Sequence, residues 1–439
     1  MLRISFPDNN LPERRYILET LFSGFLGVPH VLVPGGDPSG YRITFDNSEL
    51  LIRDHFFNAY PQPLSYLNAG AFPGAVAFLR NEFTPEEKIP VIYGTSELIR
   101  EGNRLVCGID LFASAFFMLT RWEEAVDPAR DLHGRFPGSD SVAFRNGFLH
   151  RPVVNEYAEM LWKMLKTLGY RGVRTPRHFR LFLTHDIDHL DYPVTGRILL
   201  ADLLKRRSSS LAVRHLRHFL NSWGNPYDYF NFLMTRSEEL GIQSRFYFMA
   251  TNSGLPNDRR FYLDRKRFRT KVEEIRKRGH LIGFHPGYYT YNDPTRWRTE
   301  KELLEKALGE PVHEGRQHYL RFDVPGTFRI WDQNGMITDS TFGYADNEGF
   351  RCGTGDSFPV FDFLERASSK VKERPLILMD GTIKQFKHYS PGKMVECFRD
   401  YLAAGRKYQM GITVLFHNSF YGEWEEYDHV YAQMLDHCC

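Results

Sequence analysis

Two rhythms of apolar and polar positions run along the second half of the chain. Short runs rich in aliphatic and aromatic residues, "FRLFLTH", "QSRFYFMAT", "HLIGFHP", "HYLRFDVP", "PLILMDGT" and "GITVLFHNS", read as buried strands. Between them lie segments with an apolar residue every three or four positions: "YDYFNFLMTRSEELG", "DRKRFRTKVEEIRKRG", "TEKELLEKALGE" and "KMVECFRDYLAAGRKYQ". These read as amphipathic helices, the first two stopping at Gly241 and Gly279. Strand and helix in turn predict a parallel sheet, open or closed into a barrel, with its chemistry at the strand C-terminal ends.

The first part of the chain mixes strand-like runs ("HVLVPG", "YRITFD", "IPVIYG") with helical ones ("GIDLFASAFFMLTRWEEA", "NEYAEMLWKMLKTLGY"), as a small α/β domain would. Between those two helices, "DPARDLHGRFPGSDSVAFRNGFLHRP" is rich in Gly, Pro and Asp yet full of aromatics, so it reads as an ordered excursion rather than a linker. The stretch "RGVRTPRHFR", with Pro176 unsuited to an element interior, marks the boundary between the two parts. A basic amphipathic insertion near Lys205–Arg217 follows the first strand of the second part; it reads as packing, substrate gating or a peripheral contact.

The ionisable groups fall where the strands end. In "LFLTHDIDHLDYP", His185, Asp186, Asp188, His189 and Asp191 crowd directly behind an apolar run. Side chains two apart on an extended chain share a face, so Asp186 and Asp188 should point together and His185 away from them. Two neighbouring carboxylates repel unless a proton or a cation lies between them, which suits a proton-accepting base or a metal ligand. His280, five residues before His285 on one strand, should face the other side and is read as structural.

Composition narrows the field. With 439 residues, two domains are expected. The 56 basic and 54 acidic residues leave a formal charge of +2, which argues against a dedicated nucleic-acid binder. Aromatics at 15%, 36 of them Phe and 23 Tyr, suit a groove that stacks on sugar rings. Five cysteines, two of them adjacent at Cys438 and Cys439, form no framework and read as reduced thiols. No run of about 18 apolar residues appears, so no transmembrane helix is expected, and without an export signal the protein is expected in the cytoplasm.

Order then adds what single residues lack. The Asp-x-Asp closing the first strand, "GHLIGFH" on a middle strand, the arginine-bearing "HYLRFDVP" and the terminal "LFH" follow one another as in the polysaccharide deacetylases, carbohydrate esterase family four. The chain resembles that family from Phe179 to Tyr421. The resemblance implies an α/β fold in which a distorted (β/α) barrel of the deacetylase type, residues 175–439, is preceded by a smaller α/β domain, residues 1–174. That first part is similar to the N-terminal companion of some family members and is assigned to substrate presentation or to dimer formation.

The resemblance also implies roles. Asp186 matches the catalytic base, Asp188 the metal-binding carboxylate and His285 the first histidine of the metal motif. The family's second histidine falls at Tyr289 here, so His189 and His318 become the candidates to complete the metal shell. His417, in "TVLFHNS", matches the terminal general acid. Arg321 stands where an arginine fixes the base, with Arg316 as the alternative; Asp339 is the chosen acidic partner of His417, with Asp380 second. The implied cofactor is one divalent ion, zinc before cobalt, nickel or manganese. The function expected is N-deacetylation of an N-acetylated amino sugar in a cytoplasmic glycan precursor. The alternatives are a hydrolase of a small non-sugar amide, or a catalytically silent glycan-binding or assembly module.

Overall fold

The computed structural model describes residues 1–190, 200–201, 203–204, 207–210, 212–213, 216, 225, 227–251, 253–258, 261–424 and 426–438. In the basic insertion near Lys205–Arg217, residues 205, 206, 211, 214, 215 and 217 lie outside the described residues. No helix among the described residues is long and apolar enough to cross a membrane.

The N-terminal part is built on a six-stranded sheet of order β2-β1-β3-β4-β8-β7. Its strands are β1 (Leu2–Phe6), β2 (His30–Pro34), β3 (Gly40–Phe45), β4 (Ser48–Arg53), β7 (Gly94–Glu101) and β8 (Arg104–Ile109), with a separate hairpin of β5 (Ala77–Arg80) and β6 (Lys88–Val91). The helix Leu111–Thr120 starts at Asp110, whose side chain accepts from the Ala113 N–H, and every one of its residues is buried. A helix apolar all round needs partners on all sides. It finds one in the second part of the chain: the Phe116 ring packs 5.6 Å from Phe361, beside Tyr16, whose hydroxyl donates to Pro359 O at 2.8 Å.

The second part carries nine strands in the order β14-β15-β13-β12-β11-β10-β9-β17-β16. They are β9 (Arg180–Ile187), β10 (Arg245–Met249), β11 (Leu281–His285), β12 (Glu314–Gly315), β13 (Thr338–Asp339), β14 (Phe358–Asp362), β15 (Ala367–Glu373), β16 (Leu376–Met379) and β17 (Gly411–Leu415). All neighbours pair in parallel except β14 with β15. The result is a curled half-barrel rather than a closed one. At the edge of β16 its backbone bonds an irregular segment instead of a strand, through Leu376 N to Phe342 O and Gly349 N to Ile377 O.

One expected strand is absent. "HYLRFDVP" begins with a 3-10 turn, His318–Leu320, in which Tyr319 and Leu320 have φ of 59° and 56°, and the chain then enters the helix Gly326–Gln333. Its alternating Leu320, Phe322 and Val324 are all buried, which explains the strand-like pattern without a strand. The strand of that unit is the short β12, and Gly315 is needed there: a Cβ on it would lie 2.0 Å from Phe284 O. That close approach sets Arg316 directly beside His285.

Candidate active site

Parallel strands deliver their C-terminal ends to one rim, and the register fixes which residues meet. Ile187 and Phe284 both pair with Phe248, His285 with Met249, and Leu415 with Thr184 and Met379. The residues just past those positions line a cleft of about 360 Å³, which contains Asp186, Asp188, His285, His318 and His417. His185 points away, fully buried, with Nδ1 3.2 Å from Phe416 O; burial pushes its imidazole down to about 3. His280 also faces elsewhere, accepting from the Ser244 N–H at 3.0 Å.

Arg316 is the buried hub. It donates from Nη1 to Asp186 Oδ1 at 2.9 Å and to Thr184 Oγ1 at 2.9 Å, and from Nε to Ser340 O at 2.8 Å. Arg321 does not reach Asp186. The left-handed turn at Tyr319 and Leu320 redirects the chain, so Arg321 donates instead to His133 O and Tyr288 O, both at 2.7 Å, at the cleft rim. The arginine on Asp186 is therefore Arg316.

Asp188, His285 and His318 converge: one donor atom from each lies within 4.8 Å of the others. His285 Nδ1 sits 2.6 Å from Arg316 O, and since a carbonyl only accepts, Nδ1 carries the hydrogen and Nε2 faces the cleft. Nε2 lies 3.3 Å from Asp188 Oδ1, and both atoms are buried without a hydrogen-bond partner. His318 repeats the pattern, with Nδ1 3.4 Å from Asp258 Oδ1 and Nε2 3.7 Å from Asp188 Oδ1. Imidazoles backed by a carbonyl or carboxylate on one nitrogen, with the other turned to a shared carboxylate, form a donor set that fits a divalent ion. Burial opposes ionisation of Asp188, but His285, His318 and His417 hold its carboxyl far below the usual range. Burial likewise pushes His285 down, and the Asp186 and Asp188 carboxylates more than offset it. The pocket draws positive charge.

Of the two candidates for the third donor, His318 reaches the cluster and His189 does not. His189 has the parity of His185: its ring stacks 6.0 Å from Tyr227, and its carbonyl accepts from Asn418 Nδ2. Tyr289 lies outside the cleft, under the Arg296 guanidinium.

His417 is oriented by Asp380, not by Asp339. Because β16 is the neighbour of β17, the residue after Met379 meets the chain just past Leu415. Asp380 Oδ1 lies 2.6 Å from His417 Nδ1, while its Oδ2 accepts from the His417 N–H and from Tyr427 Oη. Asp339 sits on β13, several strands away, accepting from Thr341 Oγ1 beside buried Glu373; burial pushes it up to about 6. Burial also disfavours charge on His417, but Asp380, with Asp188 and Asp186 beyond, holds it up at about 9. A histidine raised in this way adds stability that is complete below its unfolded pKa of about 6.5 and disappears as pH rises through about 9. In chelator-treated Asp380→Asn protein, His417 should titrate below about 9, since the largest charge that opposes burial is then gone. Imidazole NMR reads this directly, and an unchanged value near 9 would exclude Asp380 as the cause.

The sequence reading missed the contribution of the N-terminal part to this cleft. His133 and Arg135, from the excursion "DLHGRF", line it together with Tyr319 and Phe386. Their signal was the aromatic and glycine content of an excursion already read as ordered. Asp258, behind His318, carried no signal, because nothing local ties residue 258 to residue 318.

A model described as "Family of unknown function (DUF7033)" matches residues 2–170. No curated protein matches the chain. Among solved structures, a protein assigned as a polysaccharide deacetylase from Mycobacterium smegmatis is 16% identical with TM-score 0.38, over 60% of this chain and 84% of that one. A polysaccharide deacetylase from Bacillus cereus is 11% identical with TM-score 0.30, over 59% and 86%. A carbohydrate esterase family 4 pseudoenzyme from Bacillus anthracis is 13% identical with TM-score 0.31, over 60% and 62%.

Proposed function

We propose that this protein is a divalent-metal-dependent hydrolase that removes the acetyl group from an N-acetylated amino sugar of a glycan precursor. The observation that carries the reading is the convergence, in one cleft, of the Asp188, His285 and His318 donor atoms with Asp186 and His417. A binding module has no need for a base and a protonated acid on either side of a cation site, so the convergence favours an enzyme over the silent alternative.

One divalent ion on Asp188, His285 and His318, zinc before cobalt, nickel or manganese, would polarise the acyl carbonyl and make water acidic near neutral pH. Asp186 is the base. Arg316 pins its Oδ1 and leaves Oδ2 on the His285 side, so the carboxylate accepts the proton of the attacking water from a fixed direction. His417 is the acid. With Nδ1 on Asp380, its Nε2 remains to donate a proton to the amine nitrogen as the C–N bond breaks. The aromatic rings of Tyr319, Phe386 and Phe420 at the cleft suit the apolar face of a sugar. We place residues 1–174 as an accessory domain and 175–439 as the catalytic one.

Bound metal is the test. Protein purified without chelator should hold about one divalent ion per chain. That ion should be lost in Asp188→Ala, His285→Ala and His318→Ala but kept in His189→Ala. Full metal content in His318→Ala, or none in the parent after incubation with zinc, cobalt, nickel or manganese, would overturn the assignment.

A further inference from the structure

We propose that the turn Asp131–Arg135, contributed by the N-terminal part, closes the cleft into a blind pocket that accepts an N-acylated sugar at a chain end and excludes one inside a polymer. The inference rests on the hydrolase reading and names the part of a glycan that reaches the site.

A half-barrel leaves a gap in its rim. The loops that carry the site run from Phe386, just past β16, through β17, β9 and β11 to Tyr319, just past β12. Arg135 spans the remaining interval. Its Nη1 donates to Tyr319 O at 3.1 Å, and its guanidinium carbon lies 5.9 Å from the centre of the Phe386 ring. The arginine is held stiffly, because Asp131 accepts its Nε at 2.7 Å and also accepts the backbone N–H groups of His133 and Arg135. Arg321 clamps the same turn from the opposite side through His133 O. His133 Nδ1 lies 3.2 Å from Tyr288 Oη, and the side chain of Arg135 is only 11% exposed. A glycan bound through an internal residue must leave the site in both directions, and this bridge occupies one exit. A chain end needs only one.

The full-length protein, supplied with zinc, would be given a β-1,4-linked N-acetylglucosamine oligomer labelled at its reducing end, and the deacetylated positions located by fragment mass spectrometry. The parent should modify a terminal residue only. Arg135→Gly should raise the ratio of internal to terminal deacetylation by at least tenfold over the parent while still hydrolysing 4-nitrophenyl acetate. Phe386→Ala removes the other end of the bridge at a side chain nearly half exposed, and should likewise gain internal positions relative to terminal ones, with little folding cost. Internal deacetylation by the parent, or terminal restriction in both variants, would overturn the proposal. Absence of both ester and amide hydrolysis would instead refute the hydrolase reading. Oligomer affinity, measured by calorimetry, then decides the closure alone: it should be independent of length in the parent and rise with length in the variants.

Discussion

Arg316→Met should cost about 3–5 kcal/mol of folding stability and abolish turnover together, the largest structural effect expected from a single substitution in the cleft. The guanidinium has no solvent exposure, and the Asp186 side chain that it holds is 3% exposed. Methionine fills part of the volume but leaves Asp186 Oδ1, Thr184 Oγ1 and Ser340 O without their donor. It also leaves a buried carboxylate beside Asp188 without its cation, and that uncompensated charge is the source of the cost. Urea melts measure the loss of stability and steady-state assays the loss of turnover. Adding Asp186→Asn to Arg316→Met should restore much of the loss, because the charge that needed the arginine is gone. A deficit under about 1 kcal/mol would mean that water solvates Asp186, and that Arg316 neither supports the fold nor positions the base.

Asp186→Asn alone should lower kcat by about 10²–10⁴-fold while metal content and KM stay close to the parent's. The amide is isosteric and its oxygen can still accept from Arg316 Nη1, so the site keeps its shape, although the buried guanidinium loses its counter-charge and the fold some stability. What turnover loses is the capacity to take a proton from water. Asp188→Asn provides the contrast, since it should lose the ion and the activity together. Steady-state rates on 4-nitrophenyl acetate and on an N-acetylated sugar, with metal analysis of the same samples, separate the two carboxylates. Parent-like turnover in Asp186→Asn would remove it as the base and shift attention to Asp188.

Much of the second part of the fold was legible because parallel α/β units write their period into the sequence. The runs ending at Ile187, Met249, His285 and Leu415 are strands. Where legibility failed, the cause was local. "HYLRFDVP" alternates like a strand because Leu320, Phe322 and Val324 are buried, yet a left-handed turn and Pro325 bend the backbone away from a ladder. The short β13 is too brief and β15 too polar to announce themselves, and β14 carries Pro359, which a strand interior disfavours.

The sequence by itself determined that Asp186 and Asp188 share a face at a strand end while His185 turns away, because side-chain parity is a local property of an extended chain. It also placed His285 and His417 at strand ends. Partnership was decided elsewhere. That Arg316 rather than Arg321 holds Asp186, that Asp380 rather than Asp339 orients His417, and that His318 rather than His189 joins Asp188 all follow from which strands are neighbours and how one turn is wound. The presence of Arg135 at the mouth depends on packing between distant parts of the chain. Strand order and docking are set by burial summed over the whole molecule, and no window of local sequence contains that sum.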